Sequence, residues 1–176
     1  MRVIETGLQG LVIIEPRIFT DDRGYFFESF NRKELLKNNL PFDSLQDNES
    51  FSSKNVVRGL HYQLNPMAQA KLIRVISGRI IDVALDIRAG SPTYGKWSSV
   101  ELDSGTKRQL FVPRGFAHGY SVLSDEAIIL YKCDNYYSPE HERGIALNDP
   151  VLNIDWGINL DEAIISDKDK KNPAFA

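Results

Sequence analysis

Apolar residues recur along this chain in short runs separated by Gly, Pro, Asn, Asp and Ser at spacings near ten residues. The runs are Leu11–Phe19, Gly24–Phe30, Val56–Gln63, Lys71–Ile76, Arg79–Arg88, Trp97–Leu102, Gln109–Val112, Tyr120–Leu123 and Ile128–Lys132. That rhythm predicts an antiparallel sandwich or barrel, since βαβ units would interleave helical stretches. Ser77-Gly78 separates two apolar strands as a tight hairpin requires. Within Arg79–Arg88, Ile81, Val83, Leu85 and Ile87 share one face, and Ile80, Asp82, Ala84, Asp86 and Arg88 share the other. A half-polar face of this kind meets water or lines a polar cavity. One helix is expected where Asn31 can cap, Glu34 follows three residues on, and Leu35, Leu36 and Leu40 make a partly apolar stripe. The tail from Asp161 to Lys171 reads as a short helix or turn followed by a charged loop. No repeat, linker or low-complexity stretch marks a boundary. The prediction is therefore one all-β domain, residues 1–176: a small antiparallel jelly roll with one or two short peripheral helices.

A chain of 176 residues is long enough to bury about 70% of its unfolded surface, so it needs no staples. Its single cysteine, Cys133, forms no internal disulfide and suits a reducing compartment. Met1 to Thr6 already carry Arg2 and Glu5, and the apolar run from Leu11 to Ile14 is closed by Glu15 and Pro16. That run is too short for a signal segment or a membrane span, so a soluble cytoplasmic protein is expected. A net charge of −3 argues against a nucleic-acid or membrane surface. It leaves room for a small anionic ligand, because a few inward arginines suffice to make a pocket positive. Neither a Gly-rich dinucleotide fingerprint nor a Walker pattern occurs, so nicotinamide chemistry and kinase chemistry have no support.

Two of the three histidines, His61 and His118, each follow an Arg-Gly pair inside strand-like sequence. Histidine titrates near neutrality, and a neighbouring glycine lets a ligand approach the backbone. Three uses compete: metal ligand, proton carrier, or satisfied filler of a sheet. Pro113-Arg114-Gly115-Phe116-Ala117-His118 has the Pro-x-Gly-x-x-His spacing of the second cupin motif. A metal-binding cupin would also show His-x-His and a nearby carboxylate in the first motif. Here that motif reads His61-Tyr62-Gln63, the next acidic residue is Asp82, and the cation Lys71 stands between. Three protein ligands are not in hand, so no metal site is expected. The Arg and Gly beside each histidine weaken the filler reading.

A longer series of motifs resembles the dTDP-4-dehydrorhamnose 3,5-epimerase family. They are Asp21-Asp22-Arg23-Gly24-Tyr25-Phe26-Phe27-Glu28, Gln46-Asp47-Asn48, Arg58 to Gln63, Ala70-Lys71-Leu72, Asp86-Ile87-Arg88 with Ser91 to Gly95, Gly115 to Gly119, and Leu130-Tyr131-Lys132. Tyr137-Ser138-Pro139, Asn148-Asp149-Pro150 and Lys168-Asp169 continue the match, which runs in order from about residue 10 to 170. The resemblance implies a cupin-like jelly roll acting on a dTDP-linked 4-keto-6-deoxy sugar. The C3 and C5 protons of such a sugar are both α to a ketone. No cofactor is implied, because the ketone is itself the electron sink.

By resemblance, His61 is the base, Asp169 the carboxylate that orients it, Lys71 the cation near the C4 oxygen, and Tyr131 the proton donor on the opposite face. His118 becomes a pocket residue hydrogen-bonding near the enolate. Arg23 and Arg58 match diphosphate-binding positions, and Glu28, Gln46, Asp47, Asn48, Glu142 and Lys168 fall in further substrate-contacting motifs. Tyr137 is a candidate to stack on the thymine, and the sequence does not choose between it and the adjacent Tyr136. The resemblance also implies a homodimer in which the N-terminal strand Leu11–Phe19 and Arg23 join the partner's sheet. Rival readings are an epimerase acting at C3 or C5 alone, a ketone-shifting isomerase, and a catalytically silent sugar-nucleotide-binding cupin.

Spacing leaves some points open. Arg58 and His61 are three apart, so a regular strand would put them on opposite faces. Either Gly59 introduces a bulge or a phosphate reaches Arg58 from a partner subunit. Asp167 competes with Asp169 for His61. Leu147 stands where many relatives carry Trp, and Gly157 where Pro is usual.

Overall fold

The computed structural model describes residues 1–175. In chain order its elements are β1 (Arg2–Glu5), β2 (Val12–Glu15), β3 (Ile18–Asp21), β4 (Gly24–Phe27), α1 (Arg32–Lys37), β5 (Gln46–Ser53), β6 (Val57–Gln63), β7 (Lys71–Ser77), β8 (Arg79–Asp86), β9 (Trp97–Asp103), β10 (Gln109–Val112), β11 (Phe116–Val122), β12 (Glu126–Cys133) and β13 (Glu142–Gly144). Two single 3-10 turns, Leu160–Glu162 and Asp169–Lys171, follow. A six-stranded sheet in the order β1-β2-β10-β7-β12-β5 faces a five-stranded sheet in the order β13-β6-β11-β8-β9, and β3-β4 form a separate hairpin. Every pairing within them is antiparallel. This is the cupin-like jelly roll the strand rhythm and the motifs predict.

Three apolar layers hold it. Between the sheets, Ile73, Val75, Leu110 and Ile129 meet Ile80, Ala84, Leu102 and Val122. Outside the six-stranded sheet, Leu35 of α1, with Leu40 and Phe42, covers Val12, Ile14, Leu72 and Phe111. Outside the five-stranded sheet, the segment after β13 lays Ile145, Leu147, Leu152, Ile154 and Trp156 over Val57, Leu60, Val83 and Leu85. Burial of each such side chain is worth about 1.5–3 kcal/mol. Strand β8 is therefore covered on both faces. Ile81, Val83 and Leu85 look outward under the C-terminal segment, and Ile80, Asp82 and Ala84 look inward. Its half-polar face is buried between the sheets rather than meeting water.

Several expectations change. Ser77-Gly78 is not a hairpin: β7 and β8 belong to different sheets, and Gly78 turns the corner at φ +83. A Cβ there would overlap the Glu126 carbonyl oxygen, so close backbone approach fixes the glycine. The run Leu11–Phe19 splits into β2 and β3 around Pro16, which lacks an N–H for the ladder. Strands β1, β5 and β13 carry too little apolar periodicity to be anticipated, and Tyr120–Leu123 is the end of the longer β11. The helix is capped as expected, with Asn31 Oδ1 accepting from Glu34 N–H at 3.2 Å, but Leu36 points to solvent. Among the described residues no helix is long and apolar enough to cross a membrane.

The loop after β8 is held by one carboxylate. Fully buried Asp86 accepts from the Arg88 N–H, Nε and Nη2 at 3.0, 2.9 and 2.7 Å, and from the Ser91 and Thr93 hydroxyls, each at 2.6 Å. Burial alone would raise its pKa, but these donors outweigh it and hold the group far below the usual carboxylate range. Asp86→Asn is expected to cost about 3 kcal/mol near pH 7. Because the folded pKa is depressed, the wild type's advantage should shrink as pH falls below about 4. Urea unfolding of both proteins at pH 7 and in acid checks the sign.

Candidate functional site

The cleft begins with a bulge. In the β6–β11 register, His118 faces His61 and Tyr120 faces Arg58, so two steps on β11 match three on β6. Gly59, at φ +123, is the extra residue; a Cβ on it would lie 2.6 Å from Gly119 Cα and 2.8 Å from the His118 carbonyl oxygen. A Cβ on Gly119 would in turn meet the Arg58 carbonyl oxygen at 2.6 Å. With glycine at both positions the strands close, and Arg58 and His61 line one cavity, as the bulge reading requires.

Asp169, 108 residues on, completes the arrangement from a 3-10 turn in the tail. Its Oδ1 lies 2.7 Å from His61 Nε2, its Oδ2 accepts from the Gly59 N–H at 3.3 Å, and its own N–H donates to Ser166 Oγ at 3.1 Å. Burial of the carboxyl pushes its pKa up, yet the hydrogen bond and charge of His61 and the Gly59 N–H bring it below the ordinary value. An ionised carboxylate only accepts, so in neutral His61 the proton sits on Nε2 and Nδ1 is left basic. Asp167 is exposed and lies 3.7 Å from Lys170, which settles the choice between the two aspartates.

The six-stranded sheet supplies the opposite wall. Lys71 opens β7 beside Cys133 of β12, and its Nζ lies 5.9 Å from the centre of the Tyr131 ring. Burial lowers the Lys71 pKa, opposed by the negative charge potential of Cys133, Asp82 and Glu142. Burial also pushes Tyr131 up to about 12, so its phenol keeps its proton at neutral pH. Below them, His118 Nε2 lies 2.7 Å from Asp82 Oδ1, and both residues are buried. Among the described residues Asp82 Oδ2 has no hydrogen-bond partner. Asp82 was not anticipated as a site residue; its one signal was a carboxylate set among Ile80, Ile81, Val83, Ala84 and Leu85.

Arg58, His61, Lys71, His118, Tyr131, Lys168 and Asp169 share a cleft of about 510 Å³. An adjoining depression, which repeats His61, Lys71 and Tyr131, adds Gln46, Asn48, Tyr137 and Glu142. Glu142 accepts from the Tyr137 hydroxyl at 2.7 Å and from Lys168 Nζ at 2.5 Å. Its burial would raise its pKa, but Lys168 and Tyr137 lower it overall. Tyr137 is thus the tyrosine at the cleft, while Tyr136 is exposed and offers its carbonyl to Gln63. Arg58 is steered by Ser52 and the Phe51 carbonyl, at 3.1 and 3.2 Å, and Ser50 and Ser52 both hold the Tyr120 hydroxyl. The serines were also missed because β5 reads as a polar loop, and Tyr120 because it opens an apolar run on β11.

Three expected residues lie elsewhere in the chain. Asp47 alternates with Gln46 and Asn48 along β5 and pairs with Lys132 at 2.6 Å, away from the cleft. Arg23 sits in the β3–β4 hairpin, almost fully exposed and paired with Asp21 at 2.6 Å. Glu28 borders a groove with Leu35, Leu72 and Gln109, on the outer side of the six-stranded sheet. The two departures from the family pattern fall behind the five-stranded sheet. Leu147 is buried there, and Gly157 takes φ +67, which proline is unable to adopt.

The comparisons agree with this geometry. A family model described as dTDP-4-dehydrorhamnose 3,5-epimerase matches residues 5–176. The dTDP-4-dehydrorhamnose 3,5-epimerase of Methanothermobacter thermautotrophicus is 49% identical over 99% of this chain and 97% of its own length. The crystal structure of the Elizabethkingia anophelis enzyme of the same name superposes with a TM-score of 0.95 at 47% identity, covering 99% of this chain and 96% of that one. A Legionella pneumophila dTDP-6-deoxy-D-glucose-3,5-epimerase, solved with dTDP-4-keto-L-rhamnose, gives 0.94 at 45% identity over 98% and 92% of the two chains. With the fold and cleft already in place, the chain belongs to the dTDP-4-dehydrorhamnose 3,5-epimerase family.

Proposed function

We propose that this chain, as one domain, converts dTDP-4-dehydro-6-deoxy-D-glucose to dTDP-4-dehydro-L-rhamnose by inverting C3 and C5. One observation carries the reading: a carboxylate-bound imidazole and a protonated phenol occupy facing walls of one cleft, with an amine beside the phenol. His61 Nδ1 takes the proton from C3 or C5, and Asp169 stabilises the imidazolium that forms. Negative charge moves to the C4 oxygen, beside Lys71; an ammonium placed there is worth roughly 3 kcal/mol to the transition state. Tyr131 then protonates the carbon from the other face. Acid and base steps of this kind each contribute about 10²–10⁴-fold. The pair His118–Asp82 lines the floor, and its negative charge favours the protonated form of Lys71. No cofactor is needed for this route.

Arg58, Lys168, Gln46, Asn48, Tyr137 and Glu142 are proposed to bind the nucleotide diphosphate, with guanidinium suited to phosphate. The partner's Arg23 and the partner's Glu28 complete that site in a homodimer built by strand exchange. Support comes from Ile18, Phe19, Tyr25 and Phe26, which are 38%, 49%, 60% and 68% exposed on a hairpin with open edges. A cytoplasmic location is part of the proposal, supported by the lone, buried Cys133, which suits a reducing compartment.

Incubation with the 4-keto sugar nucleotide in D2O should place deuterium at both C3 and C5. Label at one carbon would indicate a single-position epimerase, and none a binding protein. His61→Asn should lower exchange at both carbons by at least about 100-fold. Tyr131→Phe should spare exchange better than inversion; equal loss from both variants would overturn the division of roles. In the alkaline range, kcat/KM should fall because Lys71 loses its proton. Lys71→Arg should move that limb to higher pH, since guanidinium stays charged. Mixed dimers of Arg23→Ala and His61→Asn subunits should regain activity if Arg23 works across the interface.

A further inference from the structure

The hydrogen bond at His61 depends on a turn only three residues long, Asp169–Lys171, and the contacts just beyond it decide where that turn sits. Asn172 N–H donates to the Asp169 carbonyl at 3.2 Å and closes the turn. The Asn172 side chain rests on Gly144, and Gly144 is the β13 residue directly across from His61 on β6. A Cβ on Gly144 would overlap the Asn172 amide, whereas no left-handed backbone demands glycine at this position. The glycine is required for space alone. Among the described residues the buried Asn172 amide nitrogen has no hydrogen-bond partner, so the group fills volume there rather than forming a bond through Nδ2.

Further along, the tail is tied down twice. The Ala146 N–H donates to the Pro173 carbonyl and the Phe175 N–H to Asp149 Oδ2, each at 2.8 Å. Asp149 Oδ1 accepts from Val151 and Leu152 at 2.9 Å each, so one buried carboxylate joins two loops. The Phe175 ring lies 5.3 Å from that of Tyr94. Asn148-Asp149-Pro150 belongs to the family pattern, yet it lies outside the cleft; this tie accounts for its aspartate.

We propose that Gly144 is a positioning residue for the His61–Asp169 pair: the missing side chain at 144 leaves room for the Asn172 amide, and any side chain there would push the turn carrying Asp169 away from His61. Asp149 secures the far end of the same tail. The inference rests on the reading of His61 as the base.

Gly144→Ala adds one methyl group that the backbone accepts and the Asn172 amide does not. A displacement of about 1 Å at the base should lower kcat for deuterium exchange about 10- to 100-fold while KM changes by less than about twofold. The downfield proton resonance of the His61 Nε2–H bonded to Asp169 should weaken in parallel. Asn172→Ala removes the obstructing atoms, so the Gly144→Ala, Asn172→Ala double variant should recover most of the lost kcat and the resonance. Unchanged kcat in Gly144→Ala, or a double variant no better than the single, would overturn the proposal. Should Gly144→Ala not fold, Asp149→Asn is measured in its place. Its amide turns a donor toward either Phe175 or the Val151 and Leu152 N–H groups, and the same drop in kcat and resonance is expected. Full kcat there overturns the proposal. His61→Asn and Asp169→Asn serve as references. If both retain exchange, the base assignment falls and the positioning role with it; if both lose exchange while Gly144→Ala keeps full kcat, the positioning role alone falls.

Discussion

The close approach of Gly59 to Gly119 is the constraint from which the cleft follows. It lets β6 gain a residue on β11, turns Arg58 and His61 to one side, and presents the Gly59 N–H to Asp169. The Trp156 ring lies behind it, 3.2 Å from where a Cβ on Gly119 would be, so the buried layer outside the five-stranded sheet supports the bulge from the rear. Packing on that outer side thus bears on chemistry on the inner side. The departures at Leu147 and Gly157 belong to this supporting layer rather than to the reacting groups.

The two sheets divide the work. The five-stranded sheet carries both carboxylate-bound histidines, and the six-stranded sheet carries Lys71 and Tyr131. Burial acts on the latter pair in opposite electrical senses. It keeps the phenol protonated and makes the ammonium easier to discharge, and Asp82 works against that discharge. A single partly buried wall therefore holds one group firmly in its donor form and leaves the other responsive to the charge around it.

Much of this was legible in the sequence. Alternation and turn residues were enough for an all-β sandwich, and the Asn31 cap lies where Asn31 and Glu34 put it. Strand β5 was hidden because an edge strand lining a wet cleft alternates polar with polar, and QDNESFSS carries no apolar stripe. The corner at Gly78 looked like a hairpin because a tight turn within one sheet and a crossing between two use the same residue. At the site, His61, Lys71, Tyr131 and Asp169 came through family resemblance; spacing could not choose between Asp167 and Asp169. Asp82 was invisible because its partner, His118, lies 36 residues away on another strand. Within one chain Arg23 lies exposed in the β3–β4 hairpin and Glu28 borders a groove outside the six-stranded sheet, a separation that the sequence does not reveal.

The glycines near His61 differ in what blocks a side chain, and this has an evolutionary consequence. At Gly144 the obstacle is a side chain, which a second substitution is able to trim, so sequence can drift there by paired change. At Gly59 and Gly119 the nearest obstacles are backbone Cα and carbonyl oxygen atoms, which every amino acid retains. No companion mutation relieves that overlap. The first pair is open to compensation within a lineage; the second is a ratchet, closed to exchange for as long as the cleft keeps its shape.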